Sequence, residues 1–412
     1  MSTKKSHSPI PTTHSSSTAS VGVRTGLARL CADPKKFLGG ARVGLIANPT
    51  AIDAELHHIV DLLHADKSVK LMRLFGPEHG LRGEAQDMIA VEDVRDPATG
   101  LPVASLYGNT AASLTPKREH LAELDVLVFD IQDVGSRYYT FAATLALAMR
   151  AAREVGIKVM VLDRPNPING STVEGGGLKK GLESFVGLYP IPQRHAMTVG
   201  ELARLYNSAF EIGCDLEVVA CEGWRRSQYF VETGLPWVLP SPNMPTVNTA
   251  IVYPGMCLLE GTNVSEGRGT TRPFEILGAP FVEGRKLAAA LTHEKLPGVI
   301  FRPMFFTPAF HKFVGVSCQG VQIHVTDRRA FLPYRTGLAI LVALRDLCAR
   351  DFSWRQKVYE FRNDVPAIDL LTGDPAVRES IDAGDPLDLV YEIATRGLEV
   401  YNKGRADALI YS

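Results

Sequence analysis

The stretch VLVFDIQDVGSRYYTFAATLALAMRAAREVGIKVMVLDRPNP (residues 126–167) decides the fold. It holds two short apolar runs, VLVFD (126–130) and IKVMVLD (157–163), continuous rather than alternating, as in strands buried on both faces. Between them YTFAATLALAMRAAREVG (139–156) has helical periodicity and closes on Gly156. Further runs precede it at RVGLIAN (42–48) and VKLMRLF (69–75), with a weaker one at VASLYG (103–108) and a helix candidate at ELHHIVDLLHAD (55–66). Strand–helix alternation predicts an α/β fold: a Rossmann-like parallel-sheet domain over 21–249. A smaller mixed α/β C-terminal domain over 250–412 comes after the proline-rich SPNMP (241–245), with strands around 299–306 and 321–325, a helix from about 334 to 349, and short helices over 366–404. Residues 1–20, rich in Ser, Thr and Pro, read as a disordered tail.

Composition narrows the function. At 412 residues and 22% charged, the chain is long enough for two or three domains and a core without staples. A formal net charge of −1 offers no electrostatic case for nucleic acid or an anionic membrane. The six cysteines form no CxxC and no zinc spacing, so neither a metal nor a redox role is expected, and a reducing compartment is. The run FAATLALAM (141–149) is too short to span a bilayer. Lys4 and Lys5 are followed by no apolar segment, so the N-terminus reads as cytoplasmic, with export by another route left open. The first strand runs into Asn48-Pro49-Thr50 instead of G-x-G-x-x-G, which removes the main support for a dinucleotide, and no cofactor is expected.

The residues just after each strand are more informative. In an open parallel sheet the C-terminal strand ends share one edge, where ligands bind. Here that edge collects Asn48; then Glu78, His79 and Arg82; then Asp130, Asp133, Arg137 and Tyr139; then Asp163, Arg164 and Asn166. Singly, Asn48 and Asp163 read equally well as turn or capping residues. Glu78 differs, because a carboxylate between Pro77 and His79 in a glycine-flanked bend is held rigidly. His79 without a partner at ligand spacing reads as a neighbour of Glu78 rather than a metal ligand.

The second domain supplies EGTNVSEGRGTTRPF (260–274). It nearly spells a P-loop, but five residues separate Gly261 from Gly267, Arg268 replaces the lysine, and no hydroxyl residue comes next. A phosphotransferase is set aside. Glu260, Asn263, Glu266 and Arg268 instead face the first domain's acids across an inter-domain cleft, unless Arg268 merely pairs with Glu260 or Glu266.

The ordered motifs FGPEHGLRG, DIQDVGSRYYT, DRPNPINGSTVEG, PIPQRHAMTVGELA, SPNMP, EGTNVSEGRGT and IDLLTGDPAVRESIDAG resemble the exo-β-N-acetylmuramidases of the NamZ type, from about residue 42 to the C-terminus. The resemblance implies a Rossmann-like domain and a smaller one with the site between them. It also implies release of N-acetylmuramic acid from non-reducing ends of peptidoglycan fragments, with muropeptides or glycan chains as partners. One departure is visible: Ala196, in RHAMT, stands where the family carries glycine.

Glycoside hydrolysis ordinarily needs two carboxyls. Glu78 is expected to be the general acid, its pKa raised by partial burial. Glu260, Glu266, Asp130 and Asp133 remain open as the second, and the substrate's acetamido group is an alternative nucleophile. The lactyl carboxylate of muramic acid calls for a cation, for which Arg82, Arg137, Arg164 and Arg268 qualify. Tyr107, Tyr138 or Tyr139 would stack on a sugar face. Asn48, His79, Asn166, His195, Asn243 and Asn263 complete the expected substrate-binding set. The competing reading is a non-catalytic binder of anionic sugars or muropeptides, which would have little use for clustered acids facing an anion.

Overall fold

The computed structural model describes residues 22–83 and 94–412; the expected N-terminal tail lies outside them. Seven strands form the main sheet: β1 (Arg42–Ala47), β2 (Lys70–Gly76), β3 (Val94–Arg95), β4 (Pro102–Ser105), β5 (Val126–Asp130), β6 (Lys158–Leu162) and β7 (Leu216–Val219). Their order is β3-β4-β2-β1-β5-β6-β7, and every pairing is parallel except β3 with β4. Leu45 sits opposite Leu74 on one side and Val128 on the other. Three strands, β8 (Ile276–Ala279), β9 (Val299–Phe306) and β10 (Cys318–Val325), form an antiparallel sheet in the order β8-β10-β9.

The continuous apolar strands are buried because both faces of the main sheet are covered. Leu45, Val128 and Leu162 pack with Leu27, Leu30, Ile59 and Leu63 of two short helices on one face. Ile46, Phe129 and Val161 pack with Leu145 and Met149 of the helix Phe141–Val155 on the other. That helix ends at Gly156, whose φ of 76° is the left-handed conformation glycine adopts without steric cost. The second core is continuous with this one through the helices Val247–Met256 and Pro333–Leu347.

Some expectations need adjusting. The helix expected over 55–66 begins only at Ile59, because the Asp53 carboxylate takes the N–H groups of Glu55 and His57 and the His58 ring takes that of Val60. The C-terminal helices are Ala367–Thr372, Pro375–Ala383, Leu387–Ala394 and Leu398–Gly404. The helix Val247–Met256 runs across position 249/250, and the chain's end returns to the first layer. There Tyr401 donates to the His195 carbonyl at 2.7 Å, and Tyr411 to Asp163 at 2.5 Å.

Candidate active site

At the end of β2 the chain makes a four-residue turn, closed by the Gly80 N–H on the Pro77 carbonyl at 2.9 Å. His79 occupies it with φ 70°, a conformation that costs a side-chain-bearing residue roughly 1–2 kcal/mol. The turn directs Glu78 inward, 4% exposed, where its Oε2 accepts a 2.7 Å hydrogen bond from Thr140. Thr140 immediately precedes the helix Phe141–Val155, so this contact ties the turn after β2 to the start of that helix. Beside it Tyr139 is buried, and burial pushes its phenol up, so the hydroxyl keeps its proton.

The facing wall is the 260–274 segment. Arg268 donates to Glu260 Oε1 at 2.8 Å, and the Tyr359 hydroxyl donates to Glu260 Oε2 at 2.8 Å. The Arg268 guanidinium also lies 5.2 Å from the centre of the Phe274 ring. Glu266, wholly buried, meets Lys312 at 2.9 Å, His311 at 3.1 Å and Arg268 Nε at 3.4 Å. Burial by itself would raise its pKa; Lys312, His311 and Arg268 outweigh that and hold the carboxyl well below the usual range. Gly269 is required here: a Cβ would come within 2.5 Å of the Phe310 carbonyl oxygen, against which the 309–312 loop packs.

The two walls line one pocket. Glu78, His79, Tyr138, Tyr139, Asn243, Glu260 and Arg268, all named from the sequence, line it together. Sequence reasoning missed Thr140, Ser241, Tyr359 and Glu360, which line it too. Glu360 comes from a distant turn in which Tyr359 and Arg362 exchange backbone hydrogen bonds, each 2.9 Å. Nothing in YEFR marks a turn, because the left-handed pair Glu360 and Phe361 lacks the Gly or Asn such a turn favours.

The remaining expected site residues lie outside this pocket's lining. Asp130 is fully buried in a bidentate pair with Arg164, at 2.5 and 2.9 Å, so each neutralises the other. Asp133 takes the Gly135 N–H at 2.6 Å and sits 3.2 Å from His195. Arg137 is spent on the carbonyls of Ile191, Leu370 and Leu371, fastening the C-terminal helices to the sheet. Arg82 pairs with Asp61 and Asp96. Asn48 closes a turn through the Thr50 N–H, Asn166 bridges Ile168 and Met197, and Asn263 bonds the backbone of Asp351 and Ser353. Glu266 is a counter-ion beneath the pocket floor. These groups build the frame; their low exposure is that of paired polar residues.

Asp163 is a cap: it accepts from the Gly200 N–H at 2.7 Å and from Thr198 and Tyr411, while burial raises its pKa to about 6. Ala196 has φ 51°, a left-handed geometry that glycine would adopt without steric cost. Among the described residues, three metal-type ligands converge at Asp53, Glu55 and His57, an exposed group apart from the pocket.

A parallel α/β layer and a second domain thus meet at an acid-lined, arginine-bearing pocket, the arrangement of a two-domain carbohydrate-processing enzyme. Residues 43–248 match the family model for the N-terminal part of the exo-β-N-acetylmuramidase NamZ, and residues 251–411 match its C-terminal counterpart. The chain belongs to the NamZ family. It is 48% identical, over 94% of its length and 91% of the relative's, to the peptidoglycan β-N-acetylmuramidase NamZ of Bacillus subtilis (strain 168). Two crystal structures of DUF1343 family proteins from Bacteroides fragilis NCTC 9343 share the fold. One has a TM-score of 0.87 at 35% identity, covering 95% of this chain and all of the other. The second has a TM-score of 0.76 at 29% identity, covering 95% and 99%.

Proposed function

We propose that this pocket is where the chain, an exo-acting β-N-acetylmuramidase, takes N-acetylmuramic acid from the non-reducing ends of peptidoglycan fragments. The observation that carries the assignment is the convergence of Glu78 with Glu260 and Arg268, from a distant part of the chain, on one pocket. Glu78 is the general acid. Its carboxyl proton passes to the glycosidic oxygen as the C1–O bond breaks, and water then supplies the oxygen bonded to C1. Thr140 fixes the carboxyl through the oxygen it contacts. Glu260 places negative charge beside the positive charge that develops at C1 and orients Arg268. Arg268 reaches the lactyl carboxylate, the group that separates muramic acid from glucosamine. Asn243 and Tyr139 supply hydrogen bonds to the sugar's hydroxyl and acetamido groups.

A pocket built only to retain an anionic sugar gains nothing from carboxylates around it, which favours turnover over binding alone. The six unpaired cysteines suit work in a reducing compartment. No helix among the described residues is long and apolar enough to cross a membrane. Incubation with 4-nitrophenyl β-muramide and, in parallel, its glucosaminide tests the assignment. Release of nitrophenol from the first alone is expected. Binding of free muramic acid with no release from either substrate would make the protein a binder instead.

A further inference from the structure

Non-glycine residues in the left-handed region mark places where the surrounding structure enforces a costly backbone, and such strain gathers at functional sites. Three of them, His79 (φ 70°), Phe274 (φ 62°) and Glu360 (φ 45°), line the same pocket. Two have evident tasks: His79 turns the chain so that Glu78 enters, and Phe274 presents its ring to Arg268. The third carries a carboxylate. Glu360 is 6% exposed and occupies one of two consecutive left-handed positions, the other being Phe361 with φ 65°. Tyr359 and Arg362 close this turn, and each end is anchored. Tyr359 is bonded to Glu260, while Arg362 holds Asp364 at 2.7 Å and the carbonyls of Gly181 and Glu183. Glycine at position 360 would relieve the backbone, so the acid is kept at a cost in stability.

The reaction needs a carboxylate besides Glu78. Asp130, Asp133 and Glu266 lie outside the pocket lining, Glu260 has the task of orienting Arg268, and Glu360 is the further carboxylate of the lining, held there by an enforced backbone. We propose that Glu360 is the second catalytic carboxylate, the base that takes the proton from the group attacking C1. That group is water, which loses an O–H proton, or the substrate's acetamido group, which attacks through its oxygen and loses its N–H proton. In either case one proton leaves as the bond to C1 forms, and Glu360 accepts it. Meanwhile Glu78 delivers one proton to the departing oxygen, so the charges balance. This inference rests on the muramidase reading of the pocket.

Glu360→Gly and Glu360→Gln test it with the chromogenic muramide. We expect kcat to fall at least a hundredfold in both, with KM within about threefold of wild type. The acidic limb of the kcat/KM profile should flatten, and formate should restore part of the rate in the glycine variant. The glycine variant should melt no lower than wild type. Retention of more than a fifth of wild-type kcat in either variant overturns the proposal. So does loss of kcat with an unchanged pH profile and no formate rescue. Should Glu360→Gly fail to fold, the profile of Glu360→Gln decides. A wild-type protein that releases no nitrophenol refutes the muramidase reading; an active wild type with active variants refutes this one alone.

Discussion

The two acid-bearing walls of the pocket are held by different forces. On the sheet side Glu78 is placed by backbone geometry: a short turn, a left-handed His79, and a hydrogen bond from Thr140. On the opposite side Glu260 and Arg268 are placed by charge, in a set completed by the buried Glu266, the half-buried Lys312 and the exposed His311. The first wall sets its carboxylate by backbone restraint and one hydrogen bond. The second fixes an electrostatic field, at the cost of depending on every member being present. Removing a group from the first wall should therefore cost rate, and removing one from the second should cost stability or specificity.

The largest effect is expected from Glu78→Gln, with kcat on a muramide carrying a poor leaving group falling by about 10²–10⁴-fold and the melting temperature unchanged. Turnover near wild type would end its role as the acid. Next comes Lys312→Met, which withdraws a cation from Glu266 and orphans the carbonyls of Leu259 and Val264. Urea unfolding at neutral pH should show a loss of roughly 3–5 kcal/mol. Because Glu266 has a depressed pKa in the folded state, this contribution is present above the ordinary glutamate pKa and lost as pH falls through and below it. The gap between wild type and variant should narrow below about pH 4. A loss under about 1 kcal/mol at neutral pH would mean that His311 and Arg268 suffice.

Arg268→Lys keeps a charge but loses the fork. The preference for muramide over glucosaminide in kcat/KM should drop by about ten- to thirtyfold, roughly 2 kcal/mol. An unchanged preference would assign the lactyl group to another residue. The smallest effect is expected from Ala196→Gly, which relieves a Cβ at φ 51°. A gain of up to about 1 kcal/mol in urea unfolding with unchanged kinetics is the expected outcome, and a clear loss would show that the methyl packs usefully.

Both walls were partly legible in the residues. Glu78 stood out because a glutamate is an odd occupant of a proline- and glycine-rich bend, and Glu260 and Arg268 because glycines crowd them. Asp130 and Glu266 looked as catalytic as Glu260, and Arg137 and Arg164 as fit as Arg268 to bind the lactyl carboxylate, since a buried ion pair uses the same residue types as an active site. Only their partners, Arg164 for Asp130 and three backbone carbonyls for Arg137, tell the two apart. Glu360 could not be found at all. Its turn is imposed by anchors at Tyr359 and Arg362 rather than by a turn-forming sequence, and it lies a hundred positions from Glu260.

The chain's apolar periodicity was enough to determine a parallel sheet between helices and the edge on which polar residues would gather. Strand burial on two faces leaves that mark locally, in four or five consecutive residues. Its ordered motifs were enough to place it in a family. Tertiary structure alone decided which acids line the pocket and which neutralise arginines, and that Glu360 lies in the same lining as Glu78. Charge pairing and enforced backbone strain depend on contacts between residues far apart in the chain, and no local pattern encodes those distances.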